Sequence, residues 1–523
     1  MMQDWKQQFA MAQAAAQQGN IASCLDACQQ VLDAQPGNVD ALLMVAGLLY
    51  STGLLSAARQ CLDQARALAP NDSRPLLELA NIAKDEGNHA ESHRLYSLLL
   101  RHLPDSAVVR RNALTSLEYN PAVPEAERLQ QARAWGDWAM ARAGGMRPRP
   151  PLMPEALDGS RPLRVGYVSA DFCQHTVGLF VKDVIGSHRL DRVAAYTYSA
   201  GRVDDWVTAT IRSTSRFRDV SALDDAALAE RIRQDGIDVL VDLSGHTGGS
   251  RLAAFAHRPA PVQLSWLGYF ATTGLAVIDA VLLDEWHAPP GIEAHFVEPI
   301  VRLPRGRFCY VPVPFAPAEV APPPFEKNGF ITFGCFNNTA KLNGPVIALW
   351  ARILAALPSS RLVLKWRSLQ DGKLRAALHA TFSSHGIAPG RIELRGPSFH
   401  ADLLKQYADI DIALDPFPFT GGLTSCEALW MGVPVVTWPQ AQVVSRQTHA
   451  FLSAIGLPEL SAADAGRYVA IACELAGDLP RLKDLRGGMR ERMRSSPLCD
   501  VKGFTRMLED AYLAIARRYA GHP

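Results

Sequence analysis

The stretch Asp415-Pro416-Phe417-Pro418-Phe419-Thr420-Gly421-Gly422-Leu423-Thr424-Ser425-Cys426-Glu427 has the composition of an anion site. Gly421 and Gly422 let backbone approach a ligand closely. Thr424 and Ser425 can cap a helix that runs on through Glu427, Ala428, Leu429 and Trp430. Glycines ahead of a helix N-terminus offer N–H groups and the positive end of a dipole to a phosphate. No Gly-Lys-Ser/Thr follows, so this is not a Walker A loop, and an ordinary strand–turn–helix corner has the same composition. Three further polar clusters each follow an apolar run: Ser169-Ala170-Asp171-Phe172-Cys173-Gln174-His175, Ser244-Gly245-His246-Thr247-Gly248-Gly249-Ser250-Arg251 and Asn337-Asn338-Thr339-Ala340-Lys341. Lys341 could neutralise a diphosphate leaving group, or be a solvated surface charge. His175 could be a base or a sugar-binding group, or a hydrogen-bonded loop residue. Arg251 could bind phosphate, or lie on a helix surface. Asp409 and Asp411 have the spacing of a metal-binding acidic pair. They stand beside apolar Ile410 and Ile412 at a strand start, so no metal is expected. Cys24 and Cys28 share a helix face but lack two further ligands, so buried reduced thiols are expected.

These clusters need strands to present them. Apolar, β-rich runs occur at residues 164–169, 194–198, 237–243, 262–267 and 281–283, and again, beyond a Pro-rich stretch from Pro312 to Pro324, at 330–336, 361–366, 391–394, 410–414 and 435–438. Short continuous apolar strands between helices imply parallel sheets covered on both faces. Two such sets imply two Rossmann-like lobes facing a cleft, with functional residues just after the strands. Upstream, Gly19, Gly53 and Gly87 are 34 residues apart, as are Pro36, Pro70 and Pro104, and Ala12, Ala46 and Ala80. That period is the tetratricopeptide one. The Ala lets paired helices approach, the Gly ends the first helix of each pair at positive φ, and the Pro closes the second. The expected division is repeats at 1–118, a helical and Pro-rich connector at 119–160, a first lobe at 161–312, a linker at 313–327 and a second lobe at 328–523.

Bulk properties exclude little but point one way. The 53 basic and 52 acidic residues nearly cancel, so nothing demands nucleic acid or an anionic membrane as partner. Met1 to Asn20 is polar with no apolar h-region, and no run is long enough to span a membrane. A cytoplasmic protein is expected, its nine scattered cysteines reduced.

Three stretches carry a family likeness: Arg164 to Phe172 (RVGYVSADF), His257 to Tyr269 (HRPAPVQLSWLGY), and Asp415 to Pro434, which opens DPFPF and closes CEALWMGVP. They resemble the O-linked N-acetylglucosamine transferases, a group that includes the plant SPINDLY-type O-fucosyltransferases. The likeness runs from about residue 10 to 520. It implies a GT-B fold and inverting, metal-independent transfer from a nucleotide diphosphate sugar to Ser or Thr hydroxyls of proteins. By position, His175 matches the active-site histidine and Lys341 the lysine on the diphosphate. Arg251 is similar to an arginine of the first lobe. Asn338 and His400 match nucleotide-contacting positions, and Gly422, Leu423, Thr424 and Glu427 match the phosphate and ribose segment. Animal members carry His-Thr-Thr and an Asp where this chain has Gly422-Leu423-Thr424 and Glu427. FGCFNN (333–338) and SPLC (496–499) resemble the SPINDLY branch at least as closely. The resemblance therefore implies N-acetylglucosamine from its uridine diphosphate donor, with fucose from its guanosine diphosphate donor as the alternative. A non-catalytic repeat scaffold and an enzyme acting on small molecules or glycans are the competing classes. The repeats favour polypeptide acceptors led in along the array.

Overall fold

The computed structural model describes residues 4–520. The chain forms two compact units, one of residues up to Asn120 together with Pro324–Leu403, the other of Pro121–Pro323 together with the chain from Leu404 onward. The first opens with seven helices: α1 (Asp4–Gln17), α2 (Ile21–Ala34), α3 (Val39–Thr52), α4 (Leu55–Leu68), α5 (Arg74–Asp85), α6 (His89–His102) and α7 (Ala107–Leu117). Each repeat marker does what its chemistry requires. Gly19, Gly53 and Gly87 turn the chain at φ of +71°, +91° and +76°, a conformation that penalises any Cβ. Ala12, Ala46 and Ala80 are fully buried between paired helices. Pro36, Pro70 and Pro104 stand just past α2, α4 and α6. Asn20, Asn38 and Asn88 cap α2, α3 and α6 by accepting the N–H of Ser23, Ala41 and Glu91. Cys24 and Cys28 pack with Ala12 and Ala27 in the same seam, where burial pushes the Cys28 thiol up to about 12 and keeps it protonated.

His89, at the start of α6, is buried against Tyr119, with ring centroids 6.2 Å apart. Burial, with Lys84 nearby, lowers its pKa from 6.5 to about 4, Asp85 opposing. Because the folded value lies below the unfolded one, His89 leaves stability intact above pH 6.5 and subtracts from it as pH falls towards 4, by roughly 3 kcal/mol at most. Urea midpoints at pH 7.5 and 4.5 should therefore converge in His89→Phe relative to wild type. An unchanged gap would mean that other groups carry the acid sensitivity.

In the second unit the first lobe is a seven-stranded sheet: β1 (Leu163–Ser169), β2 (Val193–Ser199), β3 (Arg216–Asp219), β4 (Val239–Asp242), β5 (Val262–Trp266), β6 (Ala280–Leu283) and β7 (Ile300–Arg302), in the order β3-β2-β1-β4-β5-β6-β7. Every pairing is parallel. β1 pairs with both β2 and β4, so the order reverses there, and the loops after β1 and β4 open at this switch point. The sequence pattern does not reveal the edge strands β3, which is charged and half-exposed (RFRD), and β7, which is only three residues long (IVR).

The second set of strands is also parallel. β8 (Thr332–Cys335), β9 (Arg361–Lys365) and β10 (Ile392–Arg395) pair in the order β10-β9-β8 within the first unit. β11 (Ile412–Leu414) and β12 (Val435–Val436) pair within the second, joined by a crossover through the helix Leu423–Trp430. The chain is thus a tetratricopeptide array followed by two parallel-sheet, Rossmann-like lobes. The last helix, Val501–Tyr519, lies on the first sheet. Its Tyr512 hydroxyl is 3.3 Å from that of Tyr167, and Glu509 is 3.1 Å from the buried His188 ring. Among the described residues no helix is long and apolar enough to cross a membrane.

Candidate active site

The loop after β1 holds His175 from several sides. The Ser169 hydroxyl accepts the Asp171 N–H at 2.9 Å, and Asp205 accepts the Gln174 N–H at 2.6 Å. His175 is the N-cap of the helix Thr176–Gly186, its Nδ1 accepting the Val177 N–H at 3.4 Å. Gly178 allows the helix to lie this close, since a Cβ there would stand 2.1 Å from the Cys173 carbonyl oxygen. Asp171 Oδ1 is 3.6 Å from His175 Nδ1. Burial raises the Asp171 pKa, His175 opposing, and its Oδ2 is buried without a hydrogen-bond partner. With Nδ1 accepting from the backbone, a neutral His175 carries its proton on Nε2, so the half-exposed edge of the ring is a donor.

The loop after β4 is built around a buried carboxylate. Asp242 accepts the N–H groups of Ser244 at 3.2 Å and Gly245 at 2.7 Å, while burial raises its pKa to about 7. Arg251 begins the short helix Leu252–Phe255, with its guanidinium turned to Asp225 at 2.8 Å and the Val220 carbonyl at 3.3 Å.

The glycine turn after β11 is also fixed internally. Asp415 accepts the Gly421 N–H at 2.7 Å through Oδ1 and the Thr437 hydroxyl at 2.7 Å through Oδ2. The Ser425 hydroxyl meets that of Thr448 at 2.8 Å, and Thr448 donates to the Gly421 carbonyl at 3.2 Å. A Cβ on Gly421 would lie 2.1 Å from Ser425 Oγ and would have to displace the Ser425 hydroxyl from Thr448. The helix begins at Leu423, which corrects the expectation that Thr424 and Ser425 cap it. Both lie inside its first turn, and Gly422, which has no side chain to give a cap bond, is the N-cap at φ −108°, ψ −98°. Glu427, one turn on, is buried.

Asn338 and Lys341 share one tight turn after β8. Asn338 Oδ1 accepts the Ala340 N–H at 3.0 Å, Lys341 Nζ donates to Asn337 Oδ1 at 3.0 Å, and Thr339–Lys341 form a single 3₁₀ turn. His400 opens the helix His400–Lys405 after β10. The repeats press on this region. The Thr339 hydroxyl donates to the Asp85 carbonyl at 2.7 Å and meets Ser368 Oγ at 2.7 Å. Asp371 accepts both the N–H and the hydroxyl of Ser56 at 2.8 Å. The ten expected site residues thus fall on five chain corners: after β1, β4, β8, β10 and β11. Asp171 and Asp415 were not assigned roles from sequence. Their only signal is an acidic residue one or two positions beyond a strand end.

A tetratricopeptide array leading into two Rossmann-like lobes, with polar clusters at the strand ends, defines a modular nucleotide-sugar transferase fold. The family Glycosyl transferase family 41 matches residues 150–310 and 326–508, and a tetratricopeptide repeat family matches residues 15–76. The chain belongs to glycosyl transferase family 41. It is 37% identical over 431 residues, 81% of its own length and 46% of the relative's, to a probable UDP-N-acetylglucosamine–peptide N-acetylglucosaminyltransferase SPINDLY of Oryza sativa. It is 30% identical over 368 residues to the probable enzyme SEC of Arabidopsis thaliana, covering 68% of this chain and 37% of that one. A solved mutant O-GlcNAc transferase of Thermobaculum terrenum superposes with a TM-score of 0.92 at 36% identity, covering 99% of this chain and 98% of the other. The chain spans about half the length of the SPINDLY relatives it matches.

Proposed function

We propose that this protein is an inverting glycosyltransferase that moves N-acetylglucosamine from its uridine diphosphate donor to Ser or Thr hydroxyls of polypeptides. The observation that carries the reading is the Gly421–Gly422 turn. It is tied down by Asp415 and leads, through a glycine N-cap that has no side chain of its own, into the helix Leu423–Trp430. Such a helix start suits a diphosphate. Leu423 and Thr424 would line the phosphates and Glu427 the ribose, with Asn338 and His400 on the nucleotide. Lys341 would face the leaving oxygen, and His175, donating from Nε2, the sugar or acceptor. Arg251, whose guanidinium pairs with Asp225, would contribute to nucleotide-sugar binding from the first lobe.

Among the described residues no group of three or more His, Cys, Asp and Glu side chains could hold a metal. In this reading cationic and N–H groups stabilise the diphosphate, so calorimetry with uridine diphosphate should give one affinity with and without a chelator. A strict magnesium requirement would overturn this part of the mechanism. The inner face of the repeats carries a groove of about 580 Å³ lined by Phe9, Gln13, Asp40, Met44, Arg74 and Glu78, a mixed surface suited to an extended polypeptide. All nine cysteines are unpaired thiols, in keeping with action in the cytoplasm.

A second reading rests on Gly422-Leu423-Thr424 and Glu427, which depart from the animal pattern: fucose from guanosine diphosphate fucose. Incubation with each labelled nucleotide sugar, following hydrolysis and transfer to lysate proteins, separates the two. Absence of turnover on either would leave a binding scaffold.

A further inference from the structure

The three repeat glycines have the same left-handed backbone but different surroundings. A Cβ on Gly19 would meet nothing within 4 Å, whereas on Gly53 it would stand 2.8 Å from the Arg367 carbonyl oxygen and on Gly87 2.5 Å from the Leu342 carbonyl oxygen. The first glycine only ends a helix. The other two also let the array sit directly on the loops of the second strand set.

We propose that the turn of the third repeat, at Asp85 to Gly87, positions Lys341 for catalysis. The inference rests on the role given to Lys341 above. The 3₁₀ turn Thr339–Lys341 is gripped at both ends by that repeat: Thr339 donates to the Asp85 carbonyl, and Leu342 abuts Gly87. Asp85 is itself fixed, its carboxylate accepting the Tyr50 hydroxyl at 2.7 Å and pairing with Lys84 at 3.0 Å. The Thr339 hydroxyl has a second anchor in Ser368, which follows β9. Lys341 thus takes its place from α3, α5 and β9 together. A cation acting on developing charge must be held to a fraction of an ångström, because charge stabilisation depends on a preorganised distance. Asp85, Gly87 and Thr339 are positioning residues, since they act through Lys341.

The glycines supply their own control. Gly19→Ala and Gly87→Ala carry the same left-handed strain, but only the second drives a methyl into the Leu342 backbone. Gly87→Ala should lower turnover at saturating donor roughly 10²-fold, the cost of an ångström-scale misplacement. Uridine diphosphate affinity should stay within about threefold, a kcat effect rather than uniform binding loss. Gly19→Ala should keep wild-type turnover. Thr339→Val should slow turnover and Thr339→Ser restore it, a pair that decides the question if Gly87→Ala does not fold. In a Lys341→Ala background, Gly87→Ala should add less than about threefold, because both changes remove one effect. Turnover of Gly87→Ala equal to that of Gly19→Ala, or full additivity with Lys341→Ala, would overturn the proposal. If Lys341→Ala itself turned over normally, the leaving-group reading would fall and this one with it. If Lys341→Ala were slow while Gly87→Ala and Thr339→Val were not, only the positioning role would fall.

Discussion

Lys341→Ala is expected to slow turnover roughly 10²–10³-fold, the scale seen when one preorganised electrostatic group is removed from a transition state. As the acceptor oxygen attacks the anomeric carbon, the bond to the diphosphate breaks and negative charge grows on the leaving oxygen. An ammonium held there stabilises that charge more than it stabilises bound donor, so the loss should fall on kcat. N–H groups at the start of the helix Leu423–Trp430 would share the charge. Lys341 is held by Asn337 and by the turn after β8, so alanine leaves the turn's backbone bonds in place. Lys341→Arg should rescue only in part, because a planar guanidinium does not reproduce a compact ammonium. Single-turnover rates with a fixed acceptor, beside nucleotide affinity by calorimetry, make the test. Near-normal turnover with weakened donor binding would make Lys341 a uniform binding group.

The second large effect concerns the repeats. Deleting residues 1–120 should abolish donor hydrolysis and protein transfer together. The deletion strips Asp85 from Thr339, Ser56 from Asp371, and the glycine turns from Arg367 and Leu342. It removes those hydrogen bonds and exposes to water the apolar surface that the array covers. The fall in both activities should exceed 10²-fold, roughly the cost of misplacing a catalytic group alone. Deleting only the first helix pair, through Ala34, leaves every one of those contacts in place. That shorter variant should hydrolyse donor at the wild-type rate and lose transfer to polypeptides selectively. Loss of transfer with intact hydrolysis in the longer deletion would instead make the array a detachable acceptor guide.

Much of this was readable from the chain, for identifiable reasons. The repeat helices end where glycine and proline force them to, so the glycines and prolines at one period marked the C-terminal ends of α1 to α6 within two residues. Central strands were legible because both faces are buried and their sequences are unbroken apolar runs. Their ends were not, since apolarity continues past the last ladder bond: residues 237–243 read as one strand, but β4 covers only Val239–Asp242. β3 is hidden because an edge strand needs no apolar run, and β7 because three residues are too few to show a pattern. Thr424 and Ser425 read as caps because both are good cap residues. The backbone conformation of Gly422, invisible in sequence, starts the helix earlier. The grip of the third repeat on Lys341 joins Asp85 to Thr339 across 254 residues, and no local pattern signals a contact of that span.

The spacing between Gly53 and Gly87 also works as a ruler. Both turns touch the same catalytic framework, so the α4–α5 segment must stay one module long. A further 34-residue module spliced in after α4 would carry one glycine turn out of reach, whereas the same module spliced in after α2 would disturb neither. The array can be lengthened on one side only, so the surface proposed to hold polypeptide could be extended while the spacing that meets the loops after β8 and β9 stayed fixed.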